Sequence, residues 1–555
     1  MKILTCIVWL GTGCRREAIE CTGSKNMEVT NKTIIFIFSL ATIFMLAGYQ
    51  GSLRKITNSF HSRWHDNTGE YSGRDRKCQG TEPSLEFEQM RRRVASDVAY
   101  TWQYIRYHLT HGNSSGVSLE VVLEDLDHHF RVTSHDLTQL SKVDGLQEWR
   151  KKESAALSAL VQHRLRVLQN PSDCASAKKI YCDFKAGGRG IGSHLHHLSC
   201  CFLASYGTQR TLILNTDNYN GNPRGLTALF LPLSDTCTSY NRSQMVPWPG
   251  NEDSLLVKFP DWDQPHPRPS YLPRSIPKDF SERLMRLHGD PFAWWLGQFF
   301  NYTMRMNEEF REYMANLTKE IEYESPIVGI HIRRTDKLSR EARYIHLEKY
   351  MERVKLFYQE LALTQQLTER RVFLATDDSR VIAEFKEKYP EYKLVYNRAS
   401  INSARLSERR KGPNLGFFMA DVFFLSHSDY LVCGMTSNVC RLAYELMQSI
   451  HPDASTRAWS VDSPLYFDFQ SPHFVRARFS HTPRRNEEME LQEGDMIKTW
   501  ALHFSKHINP KDGFLYGTNN RTQKAGLYPA YKTIDILDKA DIQSFEHIDE
   551  RNARR

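Results

Sequence analysis

The sequence predicts an α/β fold built on parallel sheets, with a membrane anchor and a helical region before it and a small all-β module after it. Three observations predict this arrangement. From about residue 180 to 470, short β-branched runs alternate with amphipathic helical stretches, the pattern of strands joined by crossover helices. An uncharged span runs from Thr33 to Leu53, and past residue 472 the chain breaks into short strands between turn residues. The 555 residues are 40% hydrophobic, 12% aromatic and 25% charged, which can build real cores and excludes a disordered or coiled-coil-only chain. The net charge of +8 is spread along the chain without a stripe or long run, so it reads as solvated surface and no nucleic-acid partner is expected.

Residues 1–32 are expected to form a cytoplasmic tail and 33–53 a transmembrane signal anchor. At about 1.5 Å per residue the uncharged span is long enough to cross a hydrocarbon core of about 30 Å. A cleaved signal peptide is the alternative, but Ala47-Gly48-Tyr49-Gln50-Gly51 is a poor cleavage site. Basic flanks nearly tie, with Arg15, Arg16, Lys25 and Lys32 before the span and Arg54, Lys55 and Arg63 after it. Sequons at Asn113, Asn241, Asn301, Asn316 and Asn520, together with the clustered cysteines, favour a luminal body behind a single-pass type II anchor. Met1 and Met27 both stand as candidate starts.

Residues 54–84 are polar and carry Gly69, Gly73, Gly80 and Pro83, as a stem would. A helical, coiled-coil-like region follows over 85–170. There Met90, Val94, Val98, Trp102, Ile105 and Leu109, and then Leu157, Leu160, Val161, Leu165 and Leu168, recur at helical spacing. Packing against the body and self-association both fit these stripes. Two lobes are expected next, an α/β lobe over 171–325 and a second over 326–471. Thr211–Leu214, Ile327–Ile332, Arg371–Thr376 and Tyr430–Cys433 read as strands. Ligands of such folds sit at the C-terminal ends of strands. Over 472–541, Phe474–Phe479, Glu487–Leu491, Gly494–Ile497 and Gly526–Pro529 form a module that resembles an SH3 domain, without the usual Trp of the peptide groove. Residues 542–555 are expected to be a tail.

The chemistry concentrates where Ile327–Ile332 runs into Arg333-Arg334-Thr335-Asp336-Lys337. Two guanidiniums leaving one strand end are costly unless they meet an anion. The planar, permanently charged fork of arginine matches phosphate oxygens, so the cluster is a pyrophosphate candidate. The plainer reading is a pair of surface ion-pair partners. No Walker A loop or GxGxxG occurs, which weakens ATPase and dehydrogenase readings.

His331–Lys337, followed by Glu341 and Leu347-Glu348-Lys349-Tyr350-Met351, resembles the signature of the alpha-1,6-fucosyltransferases that core-fucosylate N-glycans. Leu195-His196-His197, Tyr206–Leu214, His266-Pro267-Arg268-Pro269, His288-Gly289-Asp290-Pro291 with Trp294-Trp295, Leu374–Asp378 and His451–Ser455 are similar to further family segments in order, so the resemblance spans about 85 to 541. It implies a GT-B-like glycosyltransferase with a Rossmann-type donor lobe over 326–471 and a C-terminal SH3-like β-barrel. The implied reaction moves fucose from GDP-fucose to the 6-hydroxyl of the innermost GlcNAc, with inversion. By the same resemblance Glu341 is the general base with Lys337 beside it, and Arg333 and Arg334 hold the diphosphate, Arg334 counting among the catalytic groups. His331 and Asp421 would meet guanine, Ser437 the phosphates, and His503 the acceptor. Asp421 could equally be a satisfied polar residue beside a helix, and Ser437 could simply shape the loop between Cys433 and Cys440. Asp377-Asp378, at a strand end, is read as ordering the donor site, with Asp378 counted as a donor-binding residue.

No cofactor and no metal are expected. The triplets Asp125-Leu126-Asp127 and Asp261-Trp262-Asp263 lie in a helical stretch and a Pro-rich loop, and Arg and Lys can take the diphosphate charge. The resemblance also implies the disulfides Cys174–Cys237, Cys182–Cys201 and Cys433–Cys440. Arg189 and Ser193 stand where the family has two further cysteines, which puts the rigidity of the loop Gly187–Gly192 in doubt. The expected partners are GDP-fucose, N-glycoprotein acceptors, the Golgi membrane and a second copy of the chain in a homodimer. One rival is an inverting fucosyltransferase acting on chitin oligomers, against which the anchor and the SH3-like module speak. The other is a non-catalytic luminal glycan-binding protein, which would tolerate loss of Arg333, Arg334, Lys337 or Glu341, yet all four are present.

Overall fold

The computed structural model describes residues 84–111, 118–184, 190–260, 265–335, 338, 343–404, 408, 411, 413–463, 466, 473–499 and 513–545. The expected tail, anchor and all but the last residue of the stem therefore lie outside the described residues, as do Lys337, Glu341 and His503. Among the described residues no helix is long and apolar enough to cross a membrane.

Among the described residues three helices come first: α1 (Leu85–His111), α2 (Leu119–Val143) and α3 (Gln147–Gln169). Ser118 caps α2, its Oγ accepting from the Val121 N–H at 3.4 Å. Gly145, at φ 75°, makes the turn into α3, a conformation that costs glycine least. The α3 stripe Leu157, Val161, Leu165 and Leu168 is buried. The α1 stripe is not: Met90 is buried, but Trp102 is 60% exposed and Leu109 78%. Among the described residues α1 packs on α2, as where the Tyr104 hydroxyl donates to Asp125 at 2.6 Å, and Val98, Trp102 and Leu109 stay exposed on it.

The first α/β lobe begins with β1 (Lys179–Asp183), α4 (Ile191–Gly207) and β2 (Thr211–Asn215), a parallel pair in register Lys179↔Thr211. β3 (Met245–Pro247) and β4 (Leu256–Lys258) complete a parallel sheet of order β2-β1-β4-β3, and β5 (Ser275–Pro277) stands apart. The helices α5 (Ser281–Leu287), α6 (Pro291–Thr303) and α7 (Glu308–Glu320) follow. The second lobe runs β6 (Ile327–Ile332), α8 (Leu347–Leu361), β7 (Arg371–Thr376), α9 (Arg380–Lys388), β8 (Lys393–Val395), α10 (Arg398–Ser403), α11 (Asn414–His427), β9 (Tyr430–Cys433), α12 (Asn438–Ile450) and β10 (Ala458–Ser460). Its sheet is parallel throughout, in order β10-β9-β6-β7-β8. All six residues of β6 are buried, as a central strand covered on both faces demands.

The two lobes share one apolar cluster that includes Trp294, Trp295, Leu425 and Leu442. At its centre α6 and α12 touch backbone to backbone: a Cβ at Gly297 would collide with the Glu445 carbonyl oxygen. Buried polar groups meet there around Glu445. His196 Nδ1 lies 2.7 Å from the Gly192 carbonyl and Nε2 lies 3.0 Å from Glu445 Oε1, while the Tyr466 hydroxyl donates to the same carboxylate. Glu445 thus ties α12 to α4 across the lobe boundary.

The module after residue 472 is an antiparallel, SH3-like sheet of β11 (His473–Ala477), β12 (Met496–Thr499), β13 (Phe514–Asn519), β14 (Ala525–Pro529) and β15 (Thr533–Ile536), in order β14-β13-β12-β11-β15. It has its own core of Val475, Ala477, Met489, Leu491, Ile497 and Tyr528. The expected strand over 487–491 is reduced to bridges, His481 with Leu491 and Glu488 with Leu527. Glu488 bends it there by accepting from the Arg484 N–H at 2.9 Å and facing His481 at 3.0 Å. The last strand, β16 (Asp538–Ala540), pairs with β5 of the first lobe instead of the module. Three disulfides are formed, Cys174–Cys237, Cys182–Cys201 and Cys433–Cys440.

Candidate active site

From β6 the second sheet grows one way through β7 to β8 and the other way through β9 to β10. The gap between the C-terminal ends of β6 and β9 is therefore its topological switch point, where such sheets open a crevice. His331 is in register with Cys433 and Ile332 with Thr376. Arg333 thus leaves the sheet at that crevice.

The turn after β6 is held by one carboxylate. Asp377 accepts from the Arg334 N–H at 2.8 Å, from the Thr335 N–H at 3.3 Å and from the Thr335 hydroxyl, and lies 3.5 Å from Arg333 Nε. Three donors on one side chain fix the backbone and aim Arg333. The neighbouring Asp378 turns away to Arg380, accepting from its Nε and Nη2, each at 2.9 Å. That bidentate pair holds the Asp378 carboxyl below its ordinary range. Of the pair Asp377-Asp378, Asp377 holds the turn after β6 and Asp378 pairs with Arg380.

The two arginines are not equivalent. The Arg334 guanidinium is buried and donates to Glu384 at 2.5 Å and to the Ile345 carbonyl at 3.3 Å, with the Tyr344 ring 4.4 Å beneath it. Burial raises the Glu384 carboxyl, but Arg334 and Lys388 outweigh it and hold it below its ordinary range. In this structure Arg334 braces the loop between β6 and α8, whereas Arg333 stands at its mouth with 24% of its side chain exposed.

Across the switch point α12 begins at Ser437, whose side chain makes no capping bond. Cys433–Cys440 staples the end of β9 to the first turn of α12. Thr436 is anchored on Asp462, and the Met435 N–H donates to Ser460 Oγ at 3.2 Å. A fixed helix N-terminus facing a strand-end arginine suits an anion. Asp421, on α11 just before β9, is fully enclosed and accepts from Ser400 Oγ at 2.5 Å. Burial pushes its carboxyl up to about 8. His331 is buried within β6. Of the triplets weighed for a metal, Asp125-Leu126-Asp127 lies in α2 and Asp261-Trp262-Asp263 outside the described residues.

The sequence profile of the family described as "Alpha-(1,6)-fucosyltransferase N- and catalytic domains" matches residues 48–467. The chain belongs to the alpha-(1,6)-fucosyltransferase family. It is 37% identical over 477 residues to the alpha-(1,6)-fucosyltransferase of Drosophila melanogaster, covering 84% of this chain and 76% of that relative. With the Caenorhabditis elegans alpha-(1,6)-fucosyltransferase it shares 30% over 455 residues, 81% of this chain and 78% of the relative. Among solved structures, fucosyltransferase NodZ from Bradyrhizobium aligns at 13% identity and TM-score 0.29, over 48% of this chain and 92% of NodZ. The yeast Nbp2p SH3 domain aligns at 22% identity and TM-score 0.11, over 13% of this chain and 96% of that domain.

In this fucosyltransferase His331, Arg333, Arg334, Asp378 and Ser437 stand at or beside strand ends of the second lobe, and Asp421 lies within α11. Two residues escaped the sequence reading, Glu384 and the Thr436 partner Asp462. Neither carries a local signal, since each is one carboxylate among 65 acidic side chains and gains its role only when the sheet forms.

Proposed function

We propose that this fucosyltransferase transfers fucose from GDP-fucose to the 6-hydroxyl of the innermost GlcNAc of N-glycans, with inversion and without a metal ion. The observation that carries the donor half is Arg333 leaving β6 opposite the N-terminus of α12 at the switch point. Departure of GDP puts negative charge on the diphosphate, and a fixed guanidinium with a helix N-terminus meets it without reorganisation. Glu341 takes the proton of the attacking hydroxyl, Lys337 assists it, and Arg334 holds the Ile345 carbonyl and Glu384 together. His331 and Asp421 serve the guanine, Ser437 the phosphates, and His503 the acceptor. The two parallel sheets support the GT-B-like reading, with the second as a Rossmann-type donor lobe.

Asp421 makes the guanine reading testable. Guanine offers N–H donors, which a carboxylate accepts, whereas the raised carboxyl is protonated at pH 7 in the unliganded enzyme. Binding must then release a proton, so GDP affinity should rise from pH 6 to 8, by up to about tenfold per pH unit. Asp421→Asn should flatten that component, and a wild-type profile no steeper than the variant's in titration calorimetry would refute the contact. Stability runs the other way. The unfolded carboxyl ionises near its ordinary value while the folded one keeps its proton, so this group's contribution is lost as pH climbs from about 4 through 8.

The Golgi membrane, a single-pass type II anchor over 33–53 and a luminal body belong to the same proposal, supported by the uncharged span and by the three disulfides. A homodimer is supported by the uncovered face of α1, with Val98, Trp102 and Leu109 exposed. Trp102→Glu should convert the dimer to monomer in sedimentation, and a monomeric wild type would remove this part of the reading.

A further inference from the structure

The last described residues, expected to be tail from 542, are built into the body. Past β16, Asp541 pairs with Lys278 at 3.0 Å, and the Gln209 side-chain amide donates to the carbonyls of Gln543 at 3.1 Å and Ser544 at 2.8 Å. Phe545 is then only 3% exposed. Its ring lies 4.5 Å from that of Tyr206, and the Arg164 guanidinium stands 5.0 Å over it. The socket is held rigid from behind: Arg164 Nη1 donates to Asp279 at 2.6 Å and to the Tyr206 hydroxyl at 3.1 Å. Cation, carboxylate and ring come from α3, the 278–280 turn and α4, so the seat is built from elements of the body.

A second attachment lies just upstream. Asp535 on β15 accepts from Arg274 at 3.1 Å and lies 2.7 Å from His473 Nε2 on β11. Arg274 immediately precedes β5, the strand with which β16 pairs in register Asp538↔Ser275. The SH3-like sheet is thus fastened to the first lobe around one strand, by an ion-pair clamp on one side and by a strand ending in an aromatic plug on the other.

We propose that Phe545 is a positioning residue for acceptor binding: seated between Arg164 and Tyr206, it keeps the SH3-like sheet registered on β5, and with it the glycan contacts that the module contributes. The inference rests on the reading that this module, through His503, meets the acceptor. The plug's partners are on α3, α4 and the turn after β5, whereas the donor crevice is built by β6, β7, β9, α11 and α12. Loosening the plug should therefore weaken the acceptor side and spare the donor side.

The test compares full-length wild type, Phe545→Ala and Phe545→Leu by amide hydrogen exchange and by steady-state kinetics with GDP-fucose and an N-glycopeptide. In Phe545→Ala the amides of 533–545 should exchange at least about tenfold faster while those of β6, β7 and β9 keep their protection. The acceptor KM should rise about five- to tenfold, with kcat and the GDP-fucose KM within about twofold of wild type. Phe545→Leu, which refills the socket, should return most of the acceptor KM, and it replaces the alanine variant if that one does not fold. Unchanged exchange overturns the proposal, as does an unchanged acceptor KM despite faster exchange, or a donor KM that rises in step. If the wild type itself forms no fucosylated product, the functional reading fails, and the exchange result alone decides whether Phe545 holds the module.

Discussion

Arg333→Ala is expected to lower kcat/KM by about 10²–10³, the loss typical of removing one fixed group that meets developing negative charge. GDP binding should weaken as well, because the diphosphate is charged before and after transfer. Arg333→Lys should recover only part, since an ammonium keeps the charge but not the planar fork that meets two oxygens together. The two arginines differ in their surroundings. Arg334 is buried and occupied by Glu384, Ile345 and Tyr344, whereas Arg333 is set at the crevice mouth by Asp377. Thermal stability should barely move for Arg333→Ala, while Arg334→Ala strands Glu384 and should cost about 2 kcal/mol. A variant at position 333 with wild-type kcat/KM would end the diphosphate assignment.

Glu341→Gln is expected to reduce kcat by about 10²–10⁴, the range spanned by loss of a positioned general base. Glutamine keeps size and polarity but cannot accept the hydroxyl proton. GDP affinity should remain within about twofold, because the residue is assigned to the acceptor hydroxyl and not to the donor. Glu341 lies outside the described residues, so the assignment stands on its place in the segment that follows Arg333-Arg334 and on the resemblance of that segment to the family. Near-full activity in Glu341→Gln would move the base elsewhere. An equal fall in GDP affinity would instead make the residue part of the donor site.

The second sheet was legible because of where it sits. Ile327–Ile332, Arg371–Thr376 and Tyr430–Cys433 are strands over the expected residues, since a parallel sheet covered on both faces leaves continuous apolar runs in the sequence. Lys179–Asp183 went unread, because Lys179 is buried by folding its ammonium back onto the carbonyls of Cys174 and Ala177, which no local pattern announces. The three-residue strands β3, β4 and β5 are too short to show a period. At the site the sequence showed an arginine pair at a strand end but not the partner of its second member, Glu384, 50 residues from Arg334. The separate partners of Asp377 and Asp378 were hidden for the same reason, with one carboxylate on the Arg333 turn and its neighbour on Arg380. The end of the chain read as a tail because one phenylalanine in a polar stretch carries no period, and only the socket on α3 and α4 gives Phe545 its meaning.

The central claim is transfer to the 6-hydroxyl of the innermost GlcNAc by residues of the chain alone. The most direct test incubates the purified enzyme with GDP-fucose and a biantennary N-glycan bearing terminal GlcNAc, in EDTA, and maps the linkage of any product. One fucose is expected, alpha-1,6-linked to the reducing-end GlcNAc and formed at an undiminished rate in EDTA. Fucose on another position, on chitin oligomers in preference to the N-glycan, or only when Mn²⁺ is restored would contradict it.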